Sequence, residues 1–194
     1  MSLRSLSRFG ARLLSVVFLA GCARDAVSPV EPTAAVPSKP SAGLLSGLLQ
    51  PVLGVKRTTA LSKDISVSAV IGKAGGTITI ADAGLTLVVP PGAVSSNTKF
   101  TATAVAGRMV AYEFEPHGTT FAVPLQFSQD LKKVTLVSTL TAPLLHGAYF
   151  TSRDNLNQTL GVATVTELLP AAVDLLKLRV SFPIKHFSGY LVSY

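Results

Sequence analysis

The residue best suited to covalent chemistry is Cys22, which holds the only thiol in a chain of 194 residues. It directly follows two small residues, Ala20 and Gly21. Further upstream, three arginines and no acidic residue precede an apolar run at residues 13–19, which is too short to cross a membrane as a helix. A basic N-terminal region, a short apolar segment and small residues before a cleavage site are typical of a secretory signal peptide. The pattern therefore predicts that residues 1–21 direct export.

The four residues at positions 19–22 (LAGC) resemble the bacterial lipobox. The resemblance implies cleavage between Gly21 and Cys22, a diacylglyceryl thioether on the Cys22 sulfur, and acylation of the new amine, usually by palmitate. The alternative is an ordinary signal peptide that happens to be followed by a cysteine. A lipobox makes the chain a lipoprotein of the cell envelope. Because Ala23 rather than aspartate follows the cysteine, the resemblance implies the outer membrane in a cell that has two.

Other residues that could do chemistry are three histidines and one close pair of carboxylates. His117, His146 and His186 lack the spacing of a metal site, and no Gly-x-Ser-x-Gly elbow accompanies them. Glu113 and Glu115 fall on one face of a predicted strand, where they could bind Ca²⁺ or transfer protons. The alternative is a solvated strand face. Neither a phosphate loop nor a dinucleotide fingerprint is present, so no cofactor and no metal site is predicted.

The charge of the chain gives no support to a nucleic-acid partner. The formal net charge is +7, but Arg4, Arg8 and Arg12 belong to the predicted signal peptide, so 14 basic and 10 acidic residues remain. The longest basic runs are pairs, at residues 56–57 and 132–133. Because phosphate binding needs a concentrated basic surface, we expect none here.

Residues 22–60 are predicted to form a tether. Four prolines recur between Ala23 and Pro40, in a composition that cannot bury enough surface to order itself. Leucines and valines in the following segment recur at helical spacing, which predicts a short helix at residues 42–53. Such a helix could lie on lipid or dock on a partner, or it could be a simple linker helix. The predicted domain then covers residues 61–194.

From Ile65 onward the apolar period changes from helical to two, which indicates strands. The strands are short and separated by Gly, Pro and Asp turn signals, and this arrangement predicts an all-β fold, a β-sandwich or barrel. The predicted strands cover residues 65–70, 77–80, 85–89, 99–105, 110–114, 125–127, 134–140, 147–150, 159–166, 175–182 and 190–194.

Three segments, in order, are similar to a ZU5 domain. The first comprises residues 75–80 (GGTITI) and 85–94 (LTLVVPPGAV), where the family has paired glycines, a strand, a turn and a strand that closes on Pro-x-Gly-Ala. The second covers residues 115–125 (EPHGTTFAVPL), with Glu115 where the family has glycine. The third, residues 186–190 (HFSGY), resembles the closing His-Phe-Ser of the family.

The resemblance implies an interaction or scaffold module, and it also implies one candidate reaction. Some relatives cut themselves between the Phe and the Ser of the closing tripeptide. In this sequence Ser188 would be the nucleophile, Phe187 would supply the attacked carbonyl, and His186 would be the general base. The alternative is that the tripeptide only leads into the last strand. Self-processing also needs a distorted peptide bond and donors for the oxyanion.

The sequence as a whole favours a non-enzymatic binding or structural module that is displayed on a lipid anchor. The expected partners are the bilayer, through the acyl chains, and an unidentified protein or envelope polymer. Two alternatives stay open: a self-processing domain, and a glycan-binding envelope module. Scarcity of tyrosine and the absence of tryptophan weigh against glycan binding, because these side chains are the usual stacking platforms for sugars.

Overall fold

The described part of the chain is built from strands, which confirms the predicted all-β class. The computed structural model describes residues 49–136 and 139–194. Its seventeen strands, in chain order, are β1 (Gln50–Leu53), β2 (Lys56–Leu61), β3 (Ile65–Ile71), β4 (Gly76–Ile80), β5 (Leu85–Val89), β6 (Thr98–Ala104), β7 (Gly107–Met109), β8 (Ala111–Glu115), β9 (Thr120–Asp130), β10 (Val134–Thr135), β11 (His146–Phe150), β12 (Leu156–Asn157), β13 (Val162–Val165), β14 (Glu167–Pro170), β15 (Ala172–Asp174), β16 (Arg179–His186) and β17 (Gly189–Ser193). Short 3₁₀ turns occupy Leu131–Lys133, Thr139–Leu144 and Arg153–Asn155.

Two antiparallel sheets pack face to face. One has six strands in the order β14-β11-β17-β8-β6-β3, and the other has five in the order β15-β16-β9-β5-β4. Their facing sides enclose the main core. Aromatic rings from both sheets meet there, and the buried ones are Phe100, Tyr112, Phe114, Phe121, Phe127, Phe182, Phe187 and Tyr190.

Alternating side chains explain why these segments form half-buried strands. In β5, Leu85, Leu87 and Val89 are buried, whereas Thr86 and Val88 lie on the other face. The period of two places one set of side chains in the core and the other outside. The turn before β5 needs Gly84, whose φ of 79° lies in the left-handed region that glycine adopts readily.

A second, smaller core lies on the outer face of the six-stranded sheet. It is covered by a three-stranded sheet, β1-β13-β12, and a further small sheet has the order β10-β2-β7. The residues of this core come from both layers: Val52, Val105, Met109, Ala111, Ala148, Phe150, Ala163, Val165 and Leu191. The small sheets therefore protect apolar side chains that would otherwise face water.

Strand β17 is buried on both faces because it lies between the two cores. Tyr190 and Val192 belong to the main core, and Leu191 belongs to the smaller one. The strand pairs with β11 on one side and with β8 on the other. At its start only glycine fits, because a Cβ at Gly189 would overlap the ring of Phe150.

The structure differs from the predicted helix at residues 42–53. Residues 50–53 form β1, which pairs in antiparallel register with β13 from Gln50↔Val165 to Leu53↔Val162. Leucine spacing in this short segment fits a helix, but the side chain of Val52 is buried by a strand more than 100 residues away. Residues 42–48 lie outside the described residues.

Two strands begin within the predicted tether, since β1 starts at Gln50 and β2 starts at Lys56. Strand β2 pairs with β7 and with β10. Of the strand predicted at residues 134–140, the described residues form β10 at Val134–Thr135 and a 3₁₀ turn that begins at Thr139. The strand predicted at residues 175–182 begins at Arg179, since residues 175–178 make a turn.

Candidate functional site

The tripeptide His186-Phe187-Ser188 joins the end of β16 to the start of β17. The ring of Phe187 is buried in the main core, where it stacks on Phe114 with ring centroids 5.4 Å apart. It meets Phe100 and Phe121 edge-on, each at 4.8 Å. These contacts fix the tripeptide as a structural connection between the two main sheets.

The peptide bond that would be cut is held by the turn before β9. The Gly118 N–H donates to the Phe187 carbonyl at 3.0 Å, and the Phe187 N–H donates to the Thr119 carbonyl at 2.8 Å. Gly118 has a φ of 75°, and the Glu115–Pro116 peptide bond nearby is cis. One donor for a developing oxyanion is thus present at the Phe187 carbonyl.

Ser188 and His186 have different hydrogen-bond partners. The Ser188 hydroxyl is buried and makes a long hydrogen bond, 3.4 Å, to the carbonyl of Phe150. His186 Nδ1 lies 3.1 Å from the hydroxyl oxygen of Tyr190. A general base must reach the proton that it removes. In the described structure the sequence neighbours that were expected to act as nucleophile and base are not joined by a hydrogen bond.

The partner of His186, which the sequence analysis did not single out, is Tyr190. The Tyr190 hydroxyl donates to the His186 carbonyl at 2.7 Å, so its single proton is used there. The contact between Nδ1 and the phenolic oxygen then requires the hydrogen to lie on Nδ1. Burial raises the pKa of Tyr190, with a further contribution from the charge of Glu167. The phenol therefore stays protonated at neutral pH.

A cleft of about 290 Å³ adjoins this His–Tyr pair. Strands β14, β16 and β17 line it, and its polar residues are Glu167, Lys185, His186 and Tyr190. The ring of Tyr149 packs edge-on against His186 at 4.8 Å. The imidazole is thus a packed part of the cleft wall, positioned by two tyrosines rather than by a nucleophile.

Of the two carboxylates predicted on one strand face, Glu113 is engaged by an arginine, whereas Glu115 lines a cleft with Lys99 and His117. Arg153 Nη1 lies 2.7 Å from Asp64 Oδ2, and Arg153 Nη2 lies 2.5 Å from Glu113 Oε2. Hydrogen bonds to Glu113 and Asp64 raise the pKa of Arg153. A hydrogen bond from the Ala106 N–H is the main cause of the lowered pKa of Asp64. The hydrogen bond and the charge of Arg153 lower this pKa further. Glu113 therefore belongs to an ion-paired cluster with Arg153 and Asp64.

The three histidines lie in separate parts of the fold. His117 occupies the turn after β8, and His146 begins β11, with its Nδ1 2.7 Å from the Leu144 carbonyl oxygen. Within residues 49–136 and 139–194, no group of three or more His, Cys, Asp or Glu side chains is arranged to hold a metal ion. Cys22 and its neighbours fall outside the described residues, so export and lipidation stay predictions.

A buried arginine that sequence analysis missed lies under the small sheet of β2. Arg57 is 2% exposed, and its guanidinium donates to the carbonyls of Val105 and Ala111 at 3.2 Å each, and also to that of Met109. Its Cζ lies 5.3 Å from the centre of the Tyr112 ring, a cation–π arrangement. No nearby sequence signal marks Arg57, because these partners lie 48–54 residues away.

Tyr112 extends this buried network to the far sheet. Its hydroxyl is 2.6 Å from Gln129 Oε1 and 2.8 Å from the Ala83 carbonyl oxygen, and Gln129 Nε2 donates to the same carbonyl at 3.0 Å. Burial raises the pKa of Tyr112 to about 12. The network ties both main sheets to β2, and its role is structural.

The fold and these sites define a β-sandwich with two cores, whose described residues contain no assembled nucleophile–base pair. A ZU5 domain is detected at residues 67–112, which extends from β3 into β8. The first of the three resembling segments lies inside this match, whereas residues 115–125 and 186–190 lie beyond it. None of the curated proteins compared with this chain matches it.

Helices long and apolar enough to cross a membrane are absent from the described residues.

Proposed function

We propose that the chain is an exported lipoprotein, anchored through Cys22, whose β domain binds a partner protein without catalysing a reaction. The observation that carries the proposal is the ZU5 domain, a protein-interaction module, at residues 67–112. The separate hydrogen bonding of Ser188 and His186 supports the non-enzymatic part. The sequence pattern at residues 1–22 supports the anchor. The outer membrane is the proposed location in a cell with two membranes.

The surface that suits a protein partner best is the free edge of β3. Within residues 49–136 and 139–194, this strand ends the six-stranded sheet and pairs only with β6, through all seven of its residues. Its sequence, ISVSAVI, contains neither a charge nor a proline. Exposed edges are normally blocked by charges, prolines or short strands. The opposite edge, β14, has such protection, since its four residues include Glu167 and Pro170.

An extended segment of the partner would add to β3 as a further strand. Backbone N–H and C=O groups on the free edge would supply affinity, and the side chains would supply specificity. The outer face beside this edge is polar, because Ser66 pairs with Thr103 and Ser68 with Thr101, each at 2.8 Å between hydroxyl oxygens. Val70, 68% exposed, adds an apolar contact at the end of the strand.

We expect Ser68→Lys to abolish partner binding, because a charge in the middle of an edge strand opposes strand addition. The test is affinity purification of the full-length chain from detergent-solubilised membranes, with quantitative mass spectrometry. Leu168→Lys, on β14, is the matched control. A protein recovered in stoichiometric amount with the wild type and with Leu168→Lys, but lost with Ser68→Lys, is the expected result.

Three outcomes would contradict this proposal. One is a partner retained equally by both lysine variants, which would place the contact elsewhere. Another is retention of the protein on an envelope-glycan column with no protein partner, which would favour the glycan-binding alternative. The third is turnover of a small substrate by the purified protein.

Self-processing is the second candidate, and the Gly118 N–H at the Phe187 carbonyl is the observation in its favour. We nevertheless expect the chain to stay whole, since His186 is hydrogen-bonded to Tyr190 and the Ser188 hydroxyl to Phe150. Intact-mass spectrometry under denaturing conditions should give the full mature length for both the wild type and Ser188→Ala. A wild-type species that lacks residues 188–194, absent from Ser188→Ala, would instead establish cleavage.

A further inference from the structure

The turn between β15 and β16, residues 175–178, presents three leucines to solvent. Leu176 is 99% exposed, Leu175 is 49% exposed and Leu178 is 38% exposed. Single exposed leucines are common on protein surfaces, but a cluster at one protruding turn marks a contact surface. We call these four residues the leucine tip.

Hydrogen bonds hold the leucine tip in one shape. Asp174 Oδ1 accepts from the N–H of Leu176 at 3.1 Å and from that of Lys177 at 2.9 Å. Leu178 has a φ of 50°, in the left-handed region that is unfavourable for a bulky side chain. Its carbonyl accepts from the Leu131 N–H at 2.8 Å. The backbone thus accepts local strain in a turn that keeps its leucines outside the core.

Charged residues lie at the same end of the five-stranded sheet as the leucine tip. The hydrogen bond between Leu131 and Leu178 places the 3₁₀ turn Leu131–Lys133 beside it. The charged residues at this end of the five-stranded sheet are the basic Lys132, Lys133, Lys177 and Arg179, and the acidic Asp82, Asp130 and Asp174. Asp174 pairs with Lys177 at 3.5 Å. Lysine and arginine stems can extend so that their charges reach lipid headgroups while an apolar tip lies deeper.

We propose that the leucine tip inserts into the bilayer that holds the acyl chains of Cys22; this inference rests on the anchor in the proposed function. A side chain as exposed as Leu176, on a convex turn, is surrounded easily by lipid, whereas a protein partner would need a matching pocket. Between Cys22 and Gln50 lie 27 residues, which can span at most about 90 Å. The tip can therefore reach the membrane surface.

The anchor also explains why three leucines are enough. An apolar patch of this size binds a membrane weakly by itself. On a chain already attached to the same bilayer, insertion is intramolecular, and the effective concentration of lipid is high. The domain would then stand on its leucine tip, with the free edge of β3 on another part of its surface.

The test uses the full lipidated protein in vesicles of phosphatidylethanolamine and phosphatidylglycerol, with some lipids carrying a nitroxide in the acyl chain. Because lipidation consumes the thiol of Cys22, Leu176→Cys provides a single site for an environment-sensitive fluorophore. The matched control is Val70→Cys, which replaces an exposed apolar residue next to the β3–β4 turn. This turn lies at one end of β4, whereas the leucine tip lies at the other end, beside residues 81–84. We expect quenching by the nitroxide lipids at position 176 and none at position 70.

A second variant tests whether the leucines cause insertion. A fluorophore on Lys177→Cys should be quenched when Leu175 and Leu176 are intact, and the quenching should be lost when both are replaced by serine. Equal quenching at positions 176 and 70, or an unquenched probe at 176 in protein that floats with the vesicles, would overturn the inserted tip and leave the anchor in place. If the wild type itself reacts with the fluorophore and does not float, the anchor has failed, and the inference fails with it.

Discussion

Replacing Cys22 with serine is expected to release the protein from the membrane completely. A serine hydroxyl cannot form the thioether, so the chain would lose both the diacylglyceryl group and the acylation of the amine that follows cleavage. Each buried methylene contributes about 0.8 kcal/mol, and a single acyl chain gives only marginal binding, whereas two or three hold a protein essentially permanently. Metabolic labelling with palmitate and membrane fractionation measure the effect: the label should disappear, and the protein should leave the membrane pellet.

Ser28→Ala, in the predicted tether, is the control, and it should keep both the label and the membrane location. The opposite interpretation, an ordinary signal peptide with an unrelated cysteine, makes a different prediction. In that case the wild type carries no palmitate, and Cys22→Ser fractionates as the wild type does. This result would remove the anchor from the proposed function but would leave the protein-binding edge of β3 untouched.

Arg57→Ala is expected to cause a large loss of stability. Removal of the guanidinium leaves the carbonyls of Val105, Met109 and Ala111 without these donors and leaves a cavity against Tyr112. Each buried acceptor that is left without a partner costs about 1–3 kcal/mol. Urea unfolding of the mature chain, followed by circular dichroism, measures the change in the free energy of unfolding.

Arg108→Ala is the matched control, because Arg108 is an exposed arginine on the neighbouring β7. We expect it to change the free energy of unfolding by no more than about 0.5 kcal/mol. Arg57→Lys should restore only part of the loss, since an ammonium group lacks the planar fork that reaches several carbonyls at once. An Arg57→Ala protein as stable as Arg108→Ala would show that the buried guanidinium contributes nothing net.

The strands were largely predictable because their cause is local. The alternation in residues 65–71 and 85–89 follows directly from one buried and one exposed face, and it needs no knowledge of distant partners. Strand β1 was missed for the opposite reason. Its leucines fit a helix, and only pairing with β13 makes a strand the better solution. Pro51 is compatible with that strand because β1 lies at the edge of its sheet.

The candidate site shows the same division between local and distant causes. His186 and Ser188 are close together in the chain, but their spacing carries no information on which partners their polar atoms meet. His186 is hydrogen-bonded to the Tyr190 hydroxyl, and the Phe150 carbonyl accepts a hydrogen bond from the Ser188 hydroxyl. Arg57 is the extreme case, since its partners depend wholly on how β2, β7 and β8 come together.

The central place of β17 in the six-stranded sheet has a consequence for biogenesis. In the order of this sheet, β17 lies between β11 and β8 and pairs with both of them. A polypeptide synthesised only as far as Phe187 lacks the strand that joins the two halves of this sheet, and it lacks side chains that belong to both cores. We therefore expect folding of the six-stranded sheet to await residues 189–193, and a nascent chain without them to stay accessible to chaperones and proteases.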